Sequence, residues 1–163
     1  DWVLLQNETN GAAEFVAAAK NHGLKVAYSA APFEADVALT LLPHCDLLVV
    51  NEGEAAALAD ATGTALDALN VAHLVITRGA DGAEYIGQSG RFHQPAFSVD
   101  VVDTTGAGDC FFGYFLAGVA TDDDVEIALR TASAAAALQV TKPGAALAIP
   151  LRKDVIALFD HKS

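Results

Sequence analysis

Four short apolar runs recur along the first half of the chain, the first three each followed by a stretch of helical character: "WVLLQ" (2–6), "LKVAYSA" (24–30), "DLLVV" (46–50) and "HLVITRG" (73–79). Near-continuous apolar runs of this length suit strands that are covered on both faces. Asn10 stands where a cap is wanted before "GAAEFVAAAKNH", and Gly23 where that helix should stop. Pro32 breaks the chain before a short helix around 34–42. A helix from about 52 to 61 ends at Gly63, and another short one is expected around 65–69. Strand and helix in alternation restrict the chain to a mostly parallel sheet flanked by helices.

The pattern changes after residue 80. "GAEYIG" (82–87), "RFHQP" (91–95) and "FSVDVV" (97–102) read as short strands joined by Gly-containing turns, antiparallel additions at one edge of the sheet. The last third reads as helical over about 106–120, 123–139 and 151–161. The 163 residues suit one domain, and a hydrophobic content of 53% suits a globular core.

Nine Lys and Arg against 21 Asp and Glu leave a net charge of −12. That argues against a nucleic-acid partner, whose phosphates need basic residues. It leaves room for one bound nucleotide, which backbone N–H groups, a helix N-terminus and a metal can hold locally. The longest apolar runs are too short to span a membrane, and no secretory signal opens the sequence. Two isolated cysteines, Cys45 and Cys110, give no disulfide framework and favour a reduced, cytoplasmic setting. The five histidines, His161 last among them, lack the tight spacing of a metal site. There is no methionine and the sequence starts at Asp1, so it is expected to be part of a longer protein.

The stretch "DTTGAGDCFFG" (103–113) follows an expected strand and opens an expected helix. Gly106 and Gly108 would let a ligand approach the backbone closely, and their N–H groups, with that of Ala107, would be free at the helix start. The positive end of the helix dipole would add to the attraction for an anion. A Walker loop needs a Lys that is absent here, and Phe111 stands where a dinucleotide fingerprint has its third Gly. An Asp-capped helix after a tight turn accounts for the same spacing. A chemical reading instead gives Asp109 work: a carboxylate beside an anion hole can take the proton of an acceptor hydroxyl during phosphoryl transfer.

"DTTGAGDCFFGYFLAG" resembles the carboxyl-terminal signature of the ribokinase-like (PfkB) carbohydrate kinases, whose Asp-Thr-x-Gly-Ala-Gly-Asp pattern it carries without a mismatch. The resemblance implies Asp109 as catalytic base in contact with the sugar, Gly106, Ala107 and Gly108 as anion hole, and Asp103 in a monovalent-cation site. "NEGE" (51–54) fits a capping box; it also resembles the family's Asn-x-x-Glu, which implies Asn51 and Glu54 in organising Mg²⁺ and phosphate, Glu54 through water. "VITRGADGAEYI" (75–86) resembles the strand and turn near the nucleotide phosphates, with Thr77 and Gly79 in the matching positions. "TASAAAALQVTKPGAALAIP" (131–150) resembles the last long helix and loop, where the adenine and cation pockets are completed. Gly144 is its best nucleotide-side candidate, with Ser133 beside it, while Ala148 stands where the family often has Ser. "LLQNE" (4–8) resembles a segment whose Glu contacts a sugar hydroxyl, which implies Glu8.

The resemblance runs across nearly all of residues 1–163. It implies the carboxyl-terminal part of a single ribokinase-like α/β domain, its nucleotide-binding half. The implied activity is ATP-dependent phosphorylation of a primary hydroxyl of a sugar, ribose favoured, with ATP, Mg²⁺ and K⁺ as cofactors and a homodimer in the full-length protein. Fructose, 2-keto-3-deoxygluconate or a nucleoside are the other acceptors, and a non-catalytic nucleotide-binding fragment or structural module is the other class.

Overall fold

The computed structural model describes residues 1–160, and His161, at the end of the expected 151–161 helix, lies outside them. The chain divides into two compact units, residues 1–78 with 84–92, and residues 79–83 with His93 onward.

The first unit carries the sheet. Strands β1 (Trp2–Gln6), β2 (Lys25–Ser29), β3 (Leu47–Asn51) and β4 (His73–Thr77) pair in parallel, each with the next. The expected parallel sheet forms, and its physical cause holds. Val26, Ala27, Tyr28, the four residues from Leu47 to Val50, and Leu74, Val75 and Ile76 are all buried, so the strands have no polar face to show. β1 lies at the sheet edge and exposes Leu4 while burying Leu5. Helices α1 (Ala12–Asn21), α2 (Ala35–Leu41) and α3 (Glu52–Thr62) connect the strands and bury pairs three residues apart: Val16 with Ala19, Ala38 with Leu41, Ala55 with Leu58. Asn10 does not cap α1; Gly11, at φ 77°, holds the N-cap position without a side-chain bond. Gly23 and Gly63 stop α1 and α3 in left-handed backbone, at φ 71° and 61°. The helix expected at 65–69 is a single 3₁₀ turn, Leu66–Ala68.

Strands β5 (Ala83–Gly87) and β6 (Gly90–Gln94) complete a six-stranded sheet in sequence order. Their connections are two and five residues long, too short for a parallel crossover, so they form the antiparallel edge. The strand expected at 97–102 does not form. Val101 and Val102 are exposed, and the N–H groups of Val102 and Asp103 both donate to Val140 O, at 2.7 and 3.1 Å. An apolar alternation without a neighbouring strand to pair with is tied down instead at the end of a helix.

The second unit is helical, built from α4 (Ala107–Ala120), α5 (Val125–Gln139) and α6 (Arg152–Asp160). Small residues bring α4 and α5 together: a Cβ on Gly118 would lie 2.7 Å from Ala128 Cβ. Asp124 caps α5 by accepting from Glu126 N–H. Val155 of α6 is buried with Ala134, Ala135 and Cys110, and Tyr114 Oη donates to Pro150 O at 2.7 Å. This packing holds the start of α4 and the end of α5 as neighbouring fixed points.

Candidate active site

In the second unit, the glycine turn is the N-terminus of α4. Gly106 is the N-cap residue at φ 74°, ψ 6°, a conformation that favours glycine. Ala107 N–H donates to Thr104 O at 3.2 Å, so it closes the turn and is not free for an anion, contrary to the expectation. Gly108 and Asp109 are exposed on the first turn of the helix, where N–H groups have no intrahelical acceptor and the dipole is positive. Cys110 beside Asp109 is buried, and burial pushes its thiol up to about 11, which makes it a packing residue rather than a nucleophile.

Asp103 is held from three directions. Its Oδ1 accepts from Thr105 N–H at 2.9 Å and from Thr105 Oγ1 at 2.6 Å, and its Oδ2 accepts from Gly144 N–H at 2.8 Å. These donors, the Thr105 hydroxyl foremost, hold its carboxyl down at about 2. One side chain thus joins the α4 turn to the loop after α5, where Gly144 sits at φ 91°.

Gln139, fully buried at the end of α5, joins the same two segments. Its Nε2 donates to Ala145 O at 2.8 Å, Thr105 O at 3.1 Å and Gly144 O at 3.3 Å. Its Oε1 is buried without a hydrogen-bond partner among the described residues, as is Ser133 Oγ. Neither Gln139 nor Thr105 stood out in the sequence. The available signal was a lone amide closing the row "AAAALQ", a polar residue after a run of Ala and Leu.

In the first unit, Asn51 ends β3 and caps α3. Its Oδ1 accepts from Glu54 N–H, and Glu54 Oε2 accepts from Asn51 N–H, both at 2.9 Å. The capping box read from "NEGE" is therefore formed, and it orients the Glu54 carboxylate at a positive helix end. Thr77 lies in register with Asn51 at the end of β4, its Oγ1 3.4 Å from Val50 O. Both residues sit at the carboxyl ends of parallel strands, the edge outside which open α/β sheets bind ligands. Arg78 is occupied: its guanidinium pairs with Glu52 at 2.7 Å and Glu84 at 2.8 Å, and Glu84 also pairs with Arg91. The Arg78 hydrogen bond is the main reason the Glu84 carboxyl is held below the usual carboxylate range. Glu8 is exposed and lines a cleft of about 450 Å³ with Asn10, Glu34, Asp36 and Thr40.

Gly79 belongs to the second unit, at φ 54° in the turn Gly79–Asp81. Ser133 is inside α5. Among the described residues, no three His, Cys, Asp or Glu side chains gather as a metal cluster, and no helix is long and apolar enough to cross a membrane.

Parallel strands ending in an Asn-capped helix, followed by a glycine turn with an acid on the first helical turn, define an α/β protein of the ribokinase-like fold. The structure of Arabidopsis thaliana ribokinase complexed with ribose and ATP matches it with a TM-score of 0.81 and 30% identity, over 96% of this chain and 55% of that one. The chain belongs to the pfkB family of carbohydrate kinases, whose family model matches residues 4–152. A Haemophilus influenzae ribokinase is 34% identical over 179 residues, covering 99% of this chain and 56% of that protein. A deoxyribokinase from Salmonella typhi is 32% identical over 141 residues, covering 80% and 46%. The chain spans about half the length of the curated relatives it matches.

Proposed function

We propose that this chain supplies the phosphoryl-transfer half of an enzyme that moves the γ-phosphoryl group of ATP to a primary hydroxyl of a sugar, ribose being the favoured acceptor. The observation that carries the reading is the start of α4: Gly106 in left-handed backbone turns the chain so that Gly108 and Asp109 are exposed on the helix's first turn. The N–H groups there and the helix dipole receive the charge of the phosphoryl group in transit. Asp109 accepts the proton of the attacking hydroxyl. That hydroxyl oxygen forms the new bond to phosphorus as the bond between phosphorus and the β–γ bridging oxygen breaks, releasing ADP.

The nucleotide side falls to Asn51, Glu54, Thr77 and Gly79, with Gly144 and Ser133 on the adenine side. Glu54 suits Mg²⁺ chemistry: it presents one carboxylate at a helix start, and Mg²⁺ takes few protein ligands and keeps its waters. Bound there, Mg²⁺ would neutralise phosphate charge, with Glu54 reaching it through water. Glu8 contacts a sugar hydroxyl from the cleft that it lines.

A panel of ribose, deoxyribose, fructose, 2-keto-3-deoxygluconate and nucleosides, offered with ATP and Mg²⁺ to the full-length protein, tests the acceptor. Asp109→Asn is expected to lower kcat by about 10²–10⁴-fold; a variant that retains normal turnover removes the base assignment. The coverage of about half of each relative favours one other reading, a nucleotide-binding module without catalysis. Calorimetry with ATP and Mg²⁺ on this chain separates the two: binding without turnover supports the module, and sugar phosphorylation refutes it.

A further inference from the structure

The family resemblance implies a monovalent cation beside Asp103, yet an amide already fills the cradle that such an ion would use. Three backbone carbonyl oxygens, of Thr105, Gly144 and Ala145, converge on a single atom, Gln139 Nε2, at 3.1, 3.3 and 2.8 Å. Convergent carbonyls are what a protein offers K⁺ in place of its hydration shell. Here they can accept only from an NH₂ group, so the orientation of the amide is fixed by its partners. The group is fully buried, and its Oε1 is left without a partner among the described residues. A buried amide that sacrifices its own acceptor is held for its donors. The cradle has no slack either: a Cβ on Gly106 would lie 3.4 Å from Nε2 and 3.2 Å from Ala145 Cβ.

The second task of a cation, balancing the Asp103 carboxylate, is also taken by donors. Thr105 N–H, Thr105 Oγ1 and Gly144 N–H satisfy both of its oxygens. We propose that Gln139 is a built-in substitute for the monovalent cation, drawing the α4 turn and the Gly144 loop together so that this enzyme holds its anion turn without K⁺. Gln139 is a positioning residue: it acts on Thr105, the residue before Gly106, and through it on the turn. The inference rests on the phosphoryl-transfer reading of that turn for its consequence, but not for its structural content.

The test uses the full-length protein in KCl, NH₄Cl and choline chloride at constant ionic strength, with turnover and thermal midpoint both read. Wild type is expected to show the same rate and the same midpoint in all three. Gln139→Ala opens the cradle to an ion. It is expected to lose on the order of tenfold in rate in choline chloride, through a slightly displaced turn, and to regain rate and midpoint as K⁺ or NH₄⁺ rises. Gln139→Glu puts an oxygen among three carbonyl oxygens and should melt low unless K⁺ is present; it decides the matter if the alanine variant does not fold. Saturable activation or stabilisation of wild type by K⁺ overturns the proposal, as does a midpoint indifferent to K⁺ in both variants. If wild type phosphorylates no sugar in any salt, the kinase reading fails, while the midpoints still decide the role of Gln139.

Discussion

Two glycines, two residues apart, are expected to answer alanine substitution in opposite ways. Gly106 sits at φ 74°, and a Cβ there would meet Ala145 Cβ at 3.2 Å, Ala145 Cα at 3.3 Å and Gln139 Nε2 at 3.4 Å. Left-handed backbone costs an L-residue about 1–2 kcal/mol, offset by about 0.4–1 kcal/mol from the stiffer unfolded chain. The backbone alone should therefore make Gly106→Ala destabilising by roughly 0–1.6 kcal/mol, and the close approach to Ala145 adds to that. Gly108 has ordinary backbone and nothing within 4 Å of a built Cβ. Within α4, alanine there should be neutral or stabilising by up to about 1 kcal/mol. Its methyl would nonetheless stand on the exposed first turn that we propose receives the phosphoryl charge, and blocking such a donor costs up to about 10²–10³-fold in kcat. Urea unfolding and sugar-kinase kinetics on both variants of the full-length protein separate fold from function. A Gly108→Ala protein with unchanged stability and full kcat would refute the turn's role as anion hole. A Gly106→Ala protein as stable as its parent would refute the conformational argument.

Asn51→Ala removes the acceptor for Glu54 N–H and half of the capping box; it should cost about 1 kcal/mol, read as a lower thermal midpoint, and an unchanged midpoint would mean that the box does not stabilise α3. The Asp103 carboxyl is held at about 2, below its ordinary 3.8, so between these values the unfolded chain binds more protons than the folded one. The stability it contributes is then complete above about pH 4 and lost as pH falls through about 2; hydrogen exchange at Gly144 N–H should report that loss, and Asp103→Asn should abolish the pH dependence there. Burial pushes Cys45 up to about 12 and Cys110 up to about 11, so neither thiol should react with a thiol reagent at pH 8 until the protein unfolds; stoichiometric labelling of the native protein would contradict that burial.

The elements legible in the sequence were those whose environment is uniform along their length. β2, β3 and β4 are buried on both faces, so their apolar runs needed no periodicity to be seen, and Gly23 and Gly63 mark helix ends because left-handed backbone selects glycine. The segment 97–102 misled because alternation says how side chains would face, not whether a neighbouring strand exists. Val102 and Asp103 found Val140 O, nearly forty residues on in the chain, and a contact of that separation leaves no local mark. Asn10 misled for the reverse reason: a good capping residue was present, but Gly11 could adopt the positive φ that ends the preceding turn, and the helix starts one residue later.

The candidate site divides along the same line. Its proposed chemistry was legible because Gly106, Gly108 and Asp109 belong to one turn at the start of one helix. Its support was not, because Asp103, Thr105, Gln139 and Gly144 act on one another across 41 residues of chain. The family pattern marks Asp103 for an ion; here Asp103 accepts from N–H and O–H donors and Gln139 Nε2 donates to the carbonyls beside it, which is the ground of our proposal that the amide takes the ion's place. Gln139 could have been suspected on one ground alone. A glutamine at the end of an alanine row on a buried helix face must find partners for its donors or be excluded from the core. Those partners are backbone carbonyls of other segments, Thr105 in the turn before α4 and Gly144 and Ala145 in the loop after α5. The single polar letter in "AAAALQ" thus carries a long-range restraint, and the turn that it restrains is the one on which the proposed chemistry depends.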